Sequence, residues 1–301
     1  MIDLFKRPKS GVSRAPESGL SDSLRRAVSI CVWGPTGSTG KSTLAANLGC
    51  ELALAGHKVL IVDFDTYSPS QAVMFGITDG PPGLAAACRL VGQGRLDEEQ
   101  LNRLSTSFEA GAGQLSLLSG LSSPGRWPEV SPDKIQGLLE AASPLFDFVV
   151  CDVASALEEG VRQLGGVIER NCASRALLQN CDKTLAVVGA DAVSIQRYLS
   201  SHSSLTELAK EPLLLVNRLR QAALGSNPKQ QISDALAQFA NQEVDWFIPN
   251  DPESCDQAAQ ESVPLAMMKR SSPARQAIAQ VARLKFIGQE GNLQRRVAKL
   301  V

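Results

Sequence analysis

A chain of 301 residues that is 44% hydrophobic and 20% charged, with a net charge of −1, has the composition of a globular α/β protein with a full core. It holds no run of about 18 apolar residues, which excludes a membrane-spanning helix, and residues 1–9 lack the apolar stretch of a secretion signal. The seven cysteines, at positions 31, 50, 88, 151, 172, 181 and 255, are an odd number without C-x-x-C spacing. They read as buried, reduced thiols of a cytosolic protein rather than as a metal or disulfide framework. His57 and His202 are isolated in the sequence and carry no ligand pattern.

Residues 1–24 are rich in Ser, Pro, Gly and charge and are expected to lack stable structure. From Ala27 onward, apolar strand-like runs alternate with helix-length segments. The first run, 27–33, leads into Gly34-Pro-Thr-Gly-Ser-Thr-Gly-Lys-Ser-Thr43, and residues 44–55 then read as a helix. Further strands are expected at 58–63, 115–118, 146–152, 184–189 and 213–217, with a weaker one at 244–248. Helices are expected at 84–104, 131–142, 172–181, 193–208, 228–240, 252–262 and 273–287. The strands are continuously apolar rather than alternating. That pattern predicts one doubly wound, mostly parallel sheet with helices on both faces. No internal repeat or clean domain break appears, so residues 25–288 read as one domain, followed by a basic tail at 289–301.

In such a sheet, sites form at the carboxyl ends of the strands. The segment from Gly34 to Thr43 sits there and reads as a phosphate-binding P-loop between a strand and a helix. Strict G-x-x-x-x-G-K-[ST] spacing asks for Gly at position 35, where Pro35 stands. Gly37 and Gly40 permit torsions and close approach that a Cβ blocks. The backbone N–H groups of Gly37, Ser38, Thr39, Gly40, Lys41, Ser42 and Thr43, with the following helix end, offer positive potential to a polyphosphate. Lys41 reaches the outer phosphates, and the Ser42 hydroxyl suits Mg²⁺.

Two carboxylates, Asp63 and Asp65, close the second strand. Residues two apart on an extended chain point the same way. Asp63 is therefore expected in the Mg²⁺ shell and Asp65 beside the attacking water. Asp152, at the end of Phe146-Asp-Phe-Val-Val-Cys-Asp152, reads as a second metal-associated acid. Together these residues supply what phosphoryl transfer requires: a phosphate cradle, a metal, an acid on that metal and an oriented water.

The P-loop, Val62-Asp-Phe-Asp65 and the strand ending in Asp152 together resemble the MinD/ParA class of P-loop ATPases, with a deviant Walker A motif, over roughly residues 27–287. The resemblance implies ATP and Mg²⁺ as ligands, Asp152 as the Walker B acid, and adenine recognition by Asn217 in Val216-Asn-Arg218. It places Arg218 and Pro249 of Ile248-Pro-Asn-Asp-Pro-Glu253 near the base. Residues 82–90 and 118–129 look like the CpaE/TadZ-type branch, associated with pilus assembly and cell-pole positioning. The family implies an ATP-dependent homodimer switch that positions a pilus or secretion machine, a division site or a DNA cargo, with a stimulating protein partner. Such a switch works in the cytoplasm, at the membrane or nucleoid surface.

One departure bears on activity. The family's signature lysine stands five positions before the P-loop lysine, and here that residue is Thr36. Hydrolysis is expected to be slow, or a substitute cation, with Arg162, Arg170 and Arg175 as candidates, to supply the missing charge. An ATP-binding regulator with little turnover is the alternative. A bacterial tyrosine kinase is disfavoured by the presence of only Tyr67 and Tyr198. An electron-transferring reductase would need paired cluster cysteines.

Residues 265–301 carry eight cations against Glu290 alone, and Leu293, Val297, Leu300 and Val301 fall at helical spacing among Arg295, Arg296 and Lys299. Non-specific DNA, an anionic membrane or plain solvation each suit such a tail.

Overall fold

The computed structural model describes residues 5–6, 26–81, 83–163, 166–220, 227–268 and 271–288. In chain order, Phe5–Lys6 (β1), Val28–Trp33 (β2), Lys41–Leu54 (α1), Lys58–Phe64 (β3) and Gln71–Met74 (α2) come first. Gly83–Gly92 (α3), Glu98–Leu104 (α4), Thr106–Ala110 (β4), Gly113–Leu118 (β5), Pro132–Ala142 (α5) and Phe148–Val153 (β6) follow. Then come Val161–Gln163 (β7), Gly166–Ile168 (β8), Cys172–Asn180 (α6), Lys183–Gly189 (β9) and Ala192–Leu208 (α7). Leu213–Leu219 (β10), Pro228–Ala240 (α8), Trp246–Pro249 (β11), Pro252–Glu261 (α9) and Pro273–Val281 (α10) complete the chain, with a π-helical turn at Ala282–Ile287.

One nine-stranded sheet, in the order β1-β4-β5-β3-β6-β2-β9-β10-β11, organises these elements. Pairing from β5 to β11 is parallel, and β4 and β1 add an antiparallel edge. The strands are apolar throughout because both of their faces are covered. Within β2, Cys31 and Trp33 face a layer that includes Leu84, Leu101, Leu138, Leu177, Tyr198 and Leu236. Ile30 and Val32 face the opposite layer with α1, Leu265, Ile278 and Phe286. Helix α1 is buried on nearly every side. It packs on the sheet and is covered by α10, so its position is fixed from two directions.

Three expectations change. The single helix at 84–104 is two helices, α3 and α4, separated by a turn in which Gly94 takes φ +63°. Asp97 starts α4 by accepting a hydrogen bond from the Gln100 N–H at 2.8 Å. Strand β4 and the β7–β8 hairpin add to the expected strands, both as antiparallel pairs. Phe5–Lys6, within the stretch expected to be unstructured, pairs with β4. The tail at 289–301, with its spaced apolar residues, lies outside the described residues. Of the basic residues before it, Arg275 pairs with Glu51 at 2.7 Å and Lys285 with Asp245 at 2.8 Å. Those two cations belong to the protein body rather than to an open basic face. Cys31, Cys50, Cys88, Cys151 and Cys172 are buried free thiols, Cys181 is half-buried and Cys255 is exposed. No helix among the described residues is long and apolar enough to cross a membrane.

Candidate functional site

The loop from Gly34 to Gly40 joins the end of β2 to the start of α1. Its shape depends on two glycines in the left-handed region, Gly37 at φ +111° and Gly40 at φ +85°. Gly40 stands immediately before α1, and a Cβ there would collide with Nδ2 of Asn217. That Nδ2 donates to the Thr39 carbonyl at 2.8 Å, tying the loop to the end of β10. Gly40→Ala therefore combines backbone strain with a displaced Asn217. It is expected to cost about 1–3 kcal/mol of stability, read as a lowered thermal midpoint, and to weaken nucleotide binding in the same preparation.

Lys41 opens α1 and its side chain reaches the carboxyl ends of β3 and β6. Its Nζ lies 2.8 Å from Asp65 Oδ2 and 3.5 Å from Asp152 Oδ1, with Ser42 Oγ also at 3.5 Å. Burial alone would lower the lysine's pKa, but the charges of Asp152 and Asp65 outweigh it and hold it above the ordinary value. Burial pushes Asp65 up. The Lys41 charge, the hydrogen bond from Lys41 and the N–H groups of Ser68 and Tyr67 together reverse this and hold it below the usual carboxylate range. Asp152 is fully buried, and that burial raises its pKa against the opposing pull of Lys41.

Asp63, expected in a metal shell, is engaged here by backbone donors. Its Oδ1 accepts the Asp65 N–H at 3.1 Å, and its Oδ2 accepts the N–H groups of Ser70 at 2.8 Å and Gln71 at 2.9 Å. This carboxylate caps α2 and shapes the loop before it. The alternation rule fails here because β3 ends at Phe64, so Asp65 leaves the strand and turns to Lys41. Burial and the neighbouring Asp152 charge push Asp63 to about 7, against the three backbone donors.

Gln71 and Arg197 join the site without any motif to announce them. Gln71 is fully buried, and its Nε2 donates to Asp152 Oδ2 at 2.8 Å and to the Ser42 carbonyl at 3.0 Å. It fixes one oxygen of Asp152 and leaves Oδ1 without a hydrogen-bond partner. Arg197 donates from Nη1 to the Thr36 carbonyl at 3.0 Å. Of the three arginines expected to substitute for a lysine at position 36, Arg175 is engaged by the Leu157 carbonyl and Glu159. Arg170 stacks on the Tyr67 ring at 3.8 Å, and the side chain of Arg162 lies outside the described residues.

A cavity of about 590 Å³ opens beside the loop and is lined by Gly40, Thr43, Asn217, Arg218, Ile248 and Pro249, among others. Its volume falls in the range of small-molecule sites. The fold thus brings the P-loop residues 37–43, Asp65 and Asp152 together at the carboxyl ends of the central strands, with Asn217, Arg218 and Pro249 next to them. Buried polar atoms lacking partners gather here: Thr39 Oγ1, Gln71 Oε1 and Asp152 Oδ1. A buried carboxylate oxygen met by the Lys41 ammonium at 3.5 Å, next to the Ser42 hydroxyl and a glycine cradle, fits a hard cation with its phosphate ligand.

Residues 30–265 match the family described as the CobQ/CobB/MinD/ParA nucleotide binding domain. An uncharacterized ATP-binding protein of Methanocaldococcus jannaschii is 25% identical over 264 residues, covering 87% of this chain and 88% of that one. A ParA family ATPase from Chlorobium tepidum superposes with a TM-score of 0.70 at 16% identity, over 87% of this chain and all of that one. The septum site-determining protein MinD from Pyrococcus horikoshii, solved with Mg-ADP, superposes with a TM-score of 0.63 at 22% identity, over 85% and 94% of the two chains.

Proposed function

Because the chain belongs to the CobQ/CobB/MinD/ParA nucleotide-binding family, we propose that it is an ATPase that binds ATP with Mg²⁺ and uses the nucleotide to switch between monomer and homodimer. The observation that carries this reading is Lys41, held at 2.8 Å from Asp65 and 3.5 Å from Asp152 at the mouth of a glycine-built loop. Ser42 and Asp152 would hold Mg²⁺, which when bound neutralises phosphate charge.

The residues of the site then divide the work. The N–H groups of residues 37–43 cradle the phosphates, and Asn217, Arg218 and Pro249 border the base. Lys41 exchanges Asp65 for phosphate oxygens, because a phosphate offers it stronger charge-assisted hydrogen bonds than one shared carboxylate. Asp65, released from Lys41 but still held through Oδ1 by the Tyr67 and Ser68 N–H groups, becomes free to orient water. Gln71 keeps Asp152 in place throughout. The neutral Thr36 implies slow turnover, since positive charge near the transferred phosphate stabilises the transition state.

Spatial positioning is the role this switch best suits. The cargoes that fit such a switch are a pilus or secretion machine, a division site and DNA. Asp65→Ala protein, which should bind ATP but not hydrolyse it, is expected to double its mass in light scattering with Mg-ATP and to stay monomeric with Mg-ADP. Equal mass with both nucleotides would remove the dimer switch and leave an ATP-binding regulator.

A further inference from the structure

Arg197 is an exposed cation on the P-loop shoulder with no assigned task. Its position is fixed by its neighbours on α7. Asp191 caps the helix by accepting the Ser194 N–H at 2.9 Å, and Ser194 Oγ accepts the Gly189 N–H at 2.7 Å, which pins the first turn to the end of β9. Tyr198, next in sequence, is fully buried. Between these anchors the Arg197 side chain extends to the loop, where Nη1 donates to the Thr36 carbonyl at 3.0 Å. It also lies over Gly37, where a Cβ would meet Nη1, so the glycine is what admits the guanidinium.

The charge of Arg197 is also uncommitted. Lys41 shares its charge with Asp65 and Asp152, Arg126 pairs with Glu129, Arg175 with Glu159 and Arg275 with Glu51. Arg197 forms no ion pair among the described residues, and only one of its five N–H donors has a partner there. An unpaired guanidinium fixed beside a polyphosphate cradle is arranged for an anion.

We propose that Arg197 is a phosphate-positioning residue that favours the triphosphate over the diphosphate, supplying positive charge on the flank where Thr36 is neutral. This rests on the reading of the loop as an ATP site and deepens it. The terminal phosphate that ATP has and ADP lacks brings further negative charge to a loop whose one lysine, Lys41, also faces Asp152 at 3.5 Å, so a second cation on the flank acts mainly on the triphosphate. The hydrogen bond to Thr36 holds the guanidinium within the loop's field before nucleotide arrives.

The test separates charge from bracing. Arg197→Gln removes the charge together with the reach to the Thr36 carbonyl, whereas Arg197→Lys keeps the charge, and loss of the brace alone would weaken both nucleotides alike. Affinities for a non-hydrolysable ATP analogue and for ADP, each with Mg²⁺, would be measured by calorimetry for the full chain and both variants. The expected result is that Arg197→Gln lowers the affinity ratio of triphosphate to diphosphate about tenfold, the scale of one charge-assisted hydrogen bond, while Arg197→Lys retains most of it. Equal losses for both nucleotides, or no loss, with the parent protein binding normally would overturn the role of Arg197 and leave the ATP site standing. A parent protein that binds neither nucleotide would overturn both.

Discussion

Lys41→Met protein is expected to melt roughly 5–8 °C below the parent even without nucleotide, because removing one partner of a buried ion pair costs about 3–5 kcal/mol. A P-loop lysine is ordinarily discussed for its ligand alone. Here it also neutralises Asp65, with 8% of its side chain exposed, and Asp152, with none. The effect depends on pH in a defined direction. Asp65 has a folded pKa below its unfolded value, so its stabilisation by Lys41 is present above the ordinary carboxylate range and is lost as pH falls through the depressed value. The gap in melting temperature between parent and variant should therefore be full at pH 7 and narrow as the buffer becomes acidic. In the same variant, ATP affinity should fall about a hundredfold or more, since several charge-assisted hydrogen bonds go with the lysine. A variant that loses ATP but melts like the parent would mean that the carboxylates are neutral without it.

Asp152→Asn is expected to move stability and function in opposite directions. The carboxylate is fully buried, its pKa is raised by that burial, and its charge helps push Asp63 to about 7. Asparagine retains an acceptor for Gln71 and removes one buried negative charge, so the nucleotide-free protein should melt at or above the parent temperature. Asp63 sets the pH window. With a folded value near 7 against about 3.9 unfolded, it destabilises the fold increasingly as pH rises between the two. Relief of that penalty should make the gain from Asp152→Asn largest above pH 7. The Mg²⁺ dependence of ATP binding should shrink about tenfold or more and turnover should drop about a hundredfold, on the scale of losing a metal ligand and its charge stabilisation. Thermal melts across pH and nucleotide titrations with and without Mg²⁺ check both halves. A large drop in melting temperature would show that Asp152 holds the fold rather than serving a cation.

The opposed expectations for Lys41 and Asp152 reflect one electrostatic design. Two acids, Asp65 and Asp152, meet one lysine with Asp63 close behind, and the fold tolerates them through backbone donors to Asp63 and Asp65 and through the Gln71 amide on Asp152. Natural sites of this kind keep charge that the fold alone would not favour.

The local pattern of the chain determined the P-loop, the acid-terminated strands and the doubly wound sheet, because each is written in contiguous residues. Apolar runs flanked by helix-length segments have one economical arrangement, and Gly37, Gly40 and Lys41 keep their meaning wherever the loop lies. The break between α3 and α4 was masked by apolar residues continuing on both sides of Gly94. Strand β4 lacks a continuous apolar run: it is a short antiparallel strand with Glu109 exposed between buried Phe108 and Ala110. Tertiary structure decided the rest. The sequence put Asp63 and Asp65 on one face, but β3 ends between them and the chain returns at Ser70 and Gln71 to occupy Asp63. Arg197 lies 161 positions from Thr36, and Gln71 lies 81 from Asp152. Neither partnership leaves a mark in local spacing. Parallel strands joined by crossovers bring distant segments to their common carboxyl ends, so a side chain's partner there is fixed by strand order and register rather than by its neighbours in the chain.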